Sequence, residues 1–378
     1  MTGPGLPTRL RILAPAVLVM AASLISPAAG SAATPTPIQV YGAWHCSDDY
    51  CTWGTVRSVT EFDQMNHWLI DRDPTVATGA PSVNLVVLSF VNPLRLQQGV
   101  TDTTTLDGIP RGMTADIVSY FRSRNVTVML SIGGITYVKD WNAALATDAG
   151  ARQLGQNAAA VAARLGVGIE IDYEENSSPN LAGLETFIRT YRAAHPYGTA
   201  STDAAARLTI DTAAGDRWLI ALNRKATGDW LRTTNQDPAV ALDWANAMVP
   251  SKQPSTSGAI ANWQEHVDGK AQYAPPVLPL APARFTGGLY IAEGSRVRPE
   301  CTDFSSSLQK STGSFVQSVA PKAGYGTTSG MLGYMFWAAE KPSTRGVGTQ
   351  PPNSCEGGVG AGATSYGIPL PLPAIRPS

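Results

Sequence analysis

Eight short segments rich in apolar and β-branched residues recur about every 40 residues along the chain. They are 38–44, 83–90, 126–134, 167–174, 206–212, 244–249, 285–292 and 331–338. This spacing fits a strand, a loop, a helix and a second loop, and strands that alternate with helices pair in parallel through right-handed crossovers. Eight such units close into a barrel. The sequence therefore predicts an α/β fold, a single (β/α)8 TIM barrel.

Helical patterns fill several of the intervals between these segments. Residues 151–165 are rich in alanine, and residues 181–194 carry apolar side chains at helical spacing. After Glu340 the chain is rich in Pro, Gly, Ser and Thr and has no clear eighth helix. We therefore predict a barrel over 34–340 and a flexible Pro/Gly-rich tail over 341–378.

The amino terminus has the pattern of an export signal. Arg9 and Arg11 precede an apolar run of 14 residues, 12–25, which small residues follow up to Ala33. This run is shorter than the roughly 20 residues that a membrane-spanning helix needs. We predict that 1–33 is a signal peptide and that the protein is secreted. Its removal changes the formal charge from −1 to −3, and the absence of a basic cluster argues against a nucleic-acid partner.

Four cysteines follow the predicted signal: Cys46, Cys51, Cys301 and Cys355. An even number in an exported protein favours two disulfides, and three pairings are open. The short CSDDYC loop favours Cys46–Cys51, which leaves Cys301–Cys355 to tether the tail. The cysteine and histidine spacings do not match a zinc site, and we predict no metal.

The fourth segment carries three acids at alternate positions: Glu170, Asp172 and Glu174. Alternate residues of a strand point the same way, so the three carboxyl groups share one face, while Ile169 and Ile171 share the other. Acids crowded inside a barrel are costly to ionise, and at least one pKa should be raised. Catalysis by a general acid requires such a group, and barrel enzymes hold their sites at the carboxyl ends of the strands.

This segment resembles the D-G-x-D-x-D-x-E signature of glycoside hydrolase family 18. The resemblance implies that Glu174 is the proton donor and that Asp172 orients the acetamido group of the substrate. Glu170 stands in place of the family's middle aspartate, and Val167 in place of its first. We therefore predict Glu174, Asp172 and Glu170 as the catalytic residues.

Two further motifs support the resemblance at the ends of other segments. Ser131-Ile132-Gly133-Gly134 matches S-x-G-G, where glycines let the backbone approach the neighbouring strand and the sugar closely. Trp337 ends a stretch that resembles G-x-M-x-W, which implies an aromatic floor under the sugar at the cleavage point. The predicted substrate-binding set is Trp337, Tyr41, Trp44, Ser131, Gly133, Gly134, Met248 and Tyr290.

The sixth segment departs from the family pattern M-x-Y-[DN]. Pro250 stands where the family has a tyrosine that donates a hydrogen bond to the acetyl group of the substrate. Tyr290 and Asn246 are the candidates to replace that donor. The interval between the seventh and eighth segments, about 40 residues, is too short for the small domain inserted in some family members, so we expect an open, shallow groove.

The resemblance implies a secreted, retaining hydrolase of β-linked N-acetylglucosamine glycans such as chitin, with the substrate's own acetamido group as nucleophile. It implies no cofactor, a glycan as the partner, no membrane contact after signal cleavage, and a monomer. An endo-β-N-acetylglucosaminidase acting on N-linked glycans and a non-catalytic, chitinase-like carbohydrate-binding protein are the alternatives.

Overall fold

Eight parallel strands of the described chain form a closed barrel in the computed structural model. The structure describes Met1, Gly3, 38–47, 58–66, Pro81, 83–213, 218–248, 256–290, 330–337 and Ile375. The strands are β1 (Val40–Cys46), β2 (Leu85–Val91), β3 (Thr105–Leu106), β4 (Ile109–Pro110), β5 (Thr127–Gly133), β6 (Gly168–Asp172), β7 (Leu208–Ala213), β8 (Ala245–Met248), β9 (Phe285–Tyr290) and β10 (Gly333–Trp337). The barrel order is β1-β10-β9-β8-β7-β6-β5-β2, and β3 pairs with β4 in a separate antiparallel hairpin. Each of the eight predicted segments overlaps one barrel strand, and β1, β2 and β7 run one or two residues beyond the predicted ends, so the predicted fold is confirmed.

Helices follow the strands along the chain and form the outer layer. They are α1 (Val59–Asn66), α2 (Pro93–Gln98), α3 (Ala115–Arg122), α4 (Val138–Ala144), α5 (Asp148–Leu165), α6 (Leu181–Ala194), α7 (Ile220–Lys225) and α8 (Thr256–Asp268). Thr147 caps the first turn of α5 by accepting from the Gly150 amide, and Gly166 ends the helix in the left-handed conformation. Helix α6 has the predicted bounds, whereas α5 begins three residues earlier than predicted, at its cap.

The strands divide their side chains between two apolar layers. Ile169, Ile171 and Tyr173 belong to the larger cluster between the barrel wall and the helices. A smaller cluster lies inside the barrel and consists of Val40, Trp44, Leu85, Val87, Met129, Trp244, Leu332 and Met335. This division follows from the two-residue period of a strand. It leaves the opposite face of β6 for the interior of the barrel.

Both ends of the chain lie largely outside the described residues. Contacts divide the chain into Met1–Thr34 and Pro35–Ser378, and the signal peptide stays a prediction. No helix in the described ranges is long and apolar enough to cross a membrane. Within the predicted tail, Ile375 packs against the interior cluster, and its carbonyl accepts a hydrogen bond of 3.4 Å from Arg207 Nη2. Because Arg207 directly precedes β7, this residue of the tail lies at the amino-terminal end of the barrel.

Close packing of α5 on α6 depends on a glycine. A Cβ at Gly155 would lie 2.7 Å from Thr190 Cβ and 2.9 Å from the carbonyl oxygen of Phe187. We expect Gly155→Ala to lower the free energy of unfolding by about 1–3 kcal/mol, because this overlap outweighs the higher helix propensity of alanine. Gly228→Ala is the control, since a Cβ there meets no atom within 4 Å. Urea denaturation of both variants tests the prediction, and equal stabilities would contradict it.

Candidate active site

Strand β6 carries the predicted acids into the interior of the barrel. Glu170 is fully buried and Asp172 is 3% exposed. Their register partners on β5 are Ser131 and Gly133, so each acid lies level with a residue of the S-x-G-G motif on the neighbouring strand. Glu174 lies two residues beyond the end of β6 and is half-buried. The three carboxyl groups therefore follow one line from the interior of the barrel to the carboxyl end of the strand.

Two donors from other strands hold the Glu170 carboxyl group. Trp44 Nε1, on β1, donates to Oε1 at 2.8 Å, and Asn246 Nδ2, on β8, donates to Oε2 at 2.5 Å. Burial raises the pKa of Glu170, and these hydrogen bonds oppose the shift. N–H donors stabilise the ionised form because a carboxylate accepts on both oxygens. Glu170 is thus a buried acid that the fold supplies with donors.

The amide of Asn246 is oriented by two further hydrogen bonds. Its Oδ1 accepts from Trp244 Nε1 at 2.7 Å and from Thr286 Oγ1 at 2.6 Å. With Oδ1 occupied by donors, the Nδ2 group must point at the acceptor Glu170. Asn246 is fully buried. The suggestion that Asn246 replaces the family's tyrosine as a donor to the substrate is therefore corrected, because its Nδ2 group donates to Glu170.

Asp172 lies where two strands approach closely. Its backbone oxygen accepts from Gly134 N at 3.0 Å and from Trp141 Nε1 at 3.1 Å. Gly133 has φ of +123°, and a Cβ there would overlap that oxygen and the indole nitrogen. The predicted need for glycine in this motif is met at the contact between β5 and β6. Burial, and then the charges of Glu174 and Glu170, raise the pKa of Asp172 well above its ordinary value.

Glu174 is the acid nearest to solvent in this line. Burial raises its pKa to about 7, although the backbone N–H of Ile135 acts in the opposite direction. A carboxyl group with this pKa is protonated in a large fraction of molecules near neutral pH and can also release its proton there. Those are the two properties that a general acid and base needs.

A fourth acid, Asp211, joins the group from β7. It is 2% exposed, and burial followed by the charges of Glu170 and Asp172 raises its pKa well above the ordinary value. Sequence reasoning missed this residue. The available signal was the pattern Thr209-Ile210-Asp211, in which two polar residues alternate with an apolar residue that packs in the outer layer.

The segment after β6 is held by side chains on neighbouring elements. Tyr173 Oη donates to Asn142 Oδ1 at 2.5 Å and accepts from the Asn180 amide at 3.0 Å. Asn142 Nδ2 in turn donates to Glu175 Oε2 at 3.0 Å. These contacts pin the chain on both sides of Glu174 to α4 and to the first turn of α6. They restrict where the Glu174 carboxyl group can lie.

Several predicted substrate-binding residues lie elsewhere. Tyr41 is fully buried in the outer cluster between barrel and helices, so its assignment to a sugar site is corrected. Trp44 faces the interior, but it is 3% exposed and holds Glu170. Ser131 has no exposed surface and lies beside Glu170 in the strand pairing. Trp44 and Ser131 therefore surround the acid and offer almost no surface to a sugar.

The remaining predicted residues end their strands at the same side of the barrel. Trp337 is the register partner of both Trp44 and Tyr290, and the side chains of Trp337 and Tyr290 lie outside what the structure describes. Met248 is half-buried and ends β8 two residues after Asn246. The described residues exclude Pro250, the interval 293–329 between the seventh and eighth segments, Cys51, Cys301 and Cys355, as well as the side chain of Cys46. The pairing of the cysteines stays a prediction.

Two exposed apolar residues flank the acids and were not predicted. Ile135 is 58% exposed, and its amide is the one that contacts Glu174. Trp218 is 40% exposed, and the next residue, Leu219, donates its amide to Asn176 Oδ1 at 2.6 Å. Both residues therefore lie beside the segment that carries Glu174. Exposed apolar surface next to a group of acids is suited to the C–H-rich face of a sugar.

No protein-family model and no curated protein matches the chain. Solved structures that resemble it include a chitinase from Rhizomucor miehei, with 14% identity and a TM-score of 0.47 over 79% of this chain and 94% of that one. A family 18 chitinase from Pseudoalteromonas aurantia has 12% identity and a TM-score of 0.48, over 79% and 93% of the two chains. A chitinase-like agglutinin from Robinia pseudoacacia has 14% identity and a TM-score of 0.47, over 80% and 95%. The function proposed below depends on the residues of the site.

The raised pKa of Asp172 predicts how stability changes with pH. The folded state holds this proton more tightly than the unfolded state, so stability is lost as pH rises from the unfolded value, about 3.9, towards the folded one. Asp172→Asn mimics the neutral acid and should be more stable than wild type at pH 8. The difference should shrink towards pH 4.

Urea midpoints at both pH values measure this effect. The matched control is Asp268→Asn, at an exposed acid at the end of α8. A gain at pH 8 that the control shares equally would refute the assignment to buried Asp172.

Proposed function

We propose that this protein is a retaining glycoside hydrolase that cleaves β-linked N-acetylglucosamine glycans, with Glu174 as its general acid and base. The observation that carries the proposal is the line of buried acids along β6, which ends in half-buried Glu174 just beyond the carboxyl end of the strand. Burial there raises the pKa of Glu174 to about 7, which suits this role. Below Glu174 on the same strand lie Asp172 and Glu170, in the order of the family 18 signature. Barrel enzymes carry their chemistry at this end of the fold.

The mechanism uses the substrate as its own nucleophile, an exception to the usual scheme of two enzyme carboxylates. Glu174 protonates the oxygen of the glycosidic bond as that bond breaks. The acetamido oxygen of the same sugar attacks the anomeric carbon and forms an oxazolinium ion. Glu174 then removes a proton from water, which opens the ring from the opposite face. Two inversions at one carbon retain its configuration.

Asp172 acts on the acetamido group in this proposal. Its backbone is fixed by Gly134 and Trp141, whereas its Oδ1 is buried without a hydrogen-bond partner among the described residues. A buried oxygen in this state gains a partner when an N–H group approaches. The acetamido N–H of the bound sugar is such a donor. Asp172 would then orient the nucleophilic oxygen and stabilise the positive charge that develops on the ring.

The biological setting is part of the same proposal. Residues 1–33 would direct export, and the mature chain would act outside the cell as a monomer on a polymeric or oligomeric glycan. Trp218 and Ile135 provide exposed apolar surface beside the acids, and sugar faces stack on such surface. Chitin-type oligomers are the first choice of substrate, and a high-mannose glycopeptide is the comparison that tests the alternative glycan.

Glu174→Gln should lower turnover of chitin oligomers by at least about 100-fold, since proton transfer contributes roughly 10²–10⁴-fold. Substrate binding should remain, because glutamine has the shape of glutamic acid. Asp268→Asn is the control, at an exposed acid on α8 that lies outside the line of buried acids. Initial rates resolved by mass spectrometry of the products measure both variants.

The wild-type rate should also fall as pH rises through about 7, where Glu174 loses its proton. A Glu174→Gln variant with more than a few per cent of wild-type activity would refute the assignment. If the protein cleaves the glycopeptide and not chitin oligomers, the proposed mechanism stands and the substrate is an N-linked glycan.

Removal of the acetyl group at the cleavage-point sugar should stop the reaction, because the nucleophile is then missing. The loss should appear mainly in kcat, since the interaction is made in the transition state. A thiazoline that mimics the cyclised intermediate should bind far more tightly than free N-acetylglucosamine. Efficient cleavage of a fully deacetylated oligomer, without thiazoline inhibition, would overturn both the mechanism and the substrate class.

A further inference from the structure

Asp211 is an acid that the proposed mechanism does not use. It lies on β7 beside β6, and its register partner on β8 is Asn246. Thr209, two residues earlier on the same face, is the register partner of Glu170. Asp211 therefore occupies the inner wall of the barrel beside the line of catalytic acids, 2% exposed.

The surroundings of Asp211 and Glu170 differ in one respect. Glu170 accepts an N–H on each oxygen, from Trp44 and from Asn246. Asp211 Oδ1 is buried and receives no N–H or O–H donor from the described residues. An ionised carboxylate with a buried oxygen that lacks a donor is costly to bury, whereas a neutral carboxylic acid costs far less. The donors thus favour the charge on Glu170 and the proton on Asp211.

The neighbouring charges favour the same distribution. The titratable groups that face Asp211 are Glu170, Asp172 and Glu174, all acids, and they raise its pKa. Its register partner on β8 is Asn246, whose amide does not titrate. A hydrogen bond between the side chains of Asp211 and Glu170 lowers the pKa of Glu170 and raises that of Asp211. Two carboxyl groups make such a bond only when they share a proton.

We propose that Asp211 is a positioning residue that stays a neutral carboxylic acid at working pH and donates its proton in a hydrogen bond to ionised Glu170. Glu170 then has three donors and remains a carboxylate. Its negative charge acts on Asp172, whose pKa it raises, and Asp172 is coupled by charge to Glu174. The catalytic part of this inference rests on the proposed function, whereas the protonation of Asp211 does not.

Two variants of similar shape separate a neutral donor from other roles. Asp211→Asn keeps a neutral donor towards Glu170, so kcat should stay within about threefold of wild type, with an unchanged pH profile. Asp211→Leu fills the same space without a donor. Without this donor Glu170 takes up a proton more readily, and the negative charge near Asp172 and Glu174 falls. The pKa of Glu174 then falls as well, so the basic limb of the pH–rate profile should shift to lower pH by about half a unit or more.

A loss of activity above about tenfold in Asp211→Asn would mean that the ionised form is required, and it would overturn the proposal. An unshifted profile in folded Asp211→Leu would overturn it as well, because a purely structural residue leaves the profile in place. Thermal melts of both variants establish that they fold.

Protonation is measured without any substrate. In protein labelled with 13C-aspartate, the infrared C=O stretch of a protonated carboxylic acid should be present at neutral pH and should weaken in Asp211→Asn. If Asp211→Asn leaves this spectrum unchanged, Asp211 is not a neutral acid and the proposal is refuted. This test does not require that Asp211→Leu folds. If wild type cleaves no N-acetylglucosamine glycan, the proposed function fails while the infrared result still decides the state of Asp211.

Discussion

Every second residue of each parallel strand points into the barrel, and these side chains must together fill its interior. On β1, β2, β5 and β10 this face carries apolar residues, and Val40, Leu85 and Met129 pack together there. On β6 and β7 the same face carries acids, so the fold has to neutralise or hydrogen-bond charge where water has little access. The positions of Trp44 and Asn246 follow from that requirement.

Donors for the deepest acid come from strands that are distant in sequence. Trp44 and Asn246 are 126 and 76 residues away from Glu170, and barrel closure brings both to it. Asn246 can serve because Trp244 and Thr286 hold its amide in one orientation. A replacement at any of these positions acts on the acid through its hydrogen bonds, at a distance from the substrate. In the proposed mechanism such residues act on Glu170 without touching the substrate.

The line of buried acids lowers the free energy of unfolding at neutral pH. Burial raises the pKa values of Asp172, Glu174 and Asp211, so the folded protein holds protons that the unfolded chain would release at neutral pH. A structural role alone gives no reason to keep four acids there. Sites that destabilise the fold and enable chemistry are a common compromise in enzymes. The large outer cluster and the close packing of α5 on α6 offset this cost.

Local patterns in the sequence determined the eight strands, helix α6 and the shared face of Glu170 and Asp172, because strand and helix periods are properties of neighbouring residues. They did not determine which face of each strand points inward. Tyr41 and Trp44 are three residues apart on β1 and lie on opposite faces, so both could not line the barrel. Asp211 and Asn246 became partners of the site only through the pairing of β6, β7 and β8. Closure of the barrel decides such contacts, since it sets the register between residues that no local pattern relates.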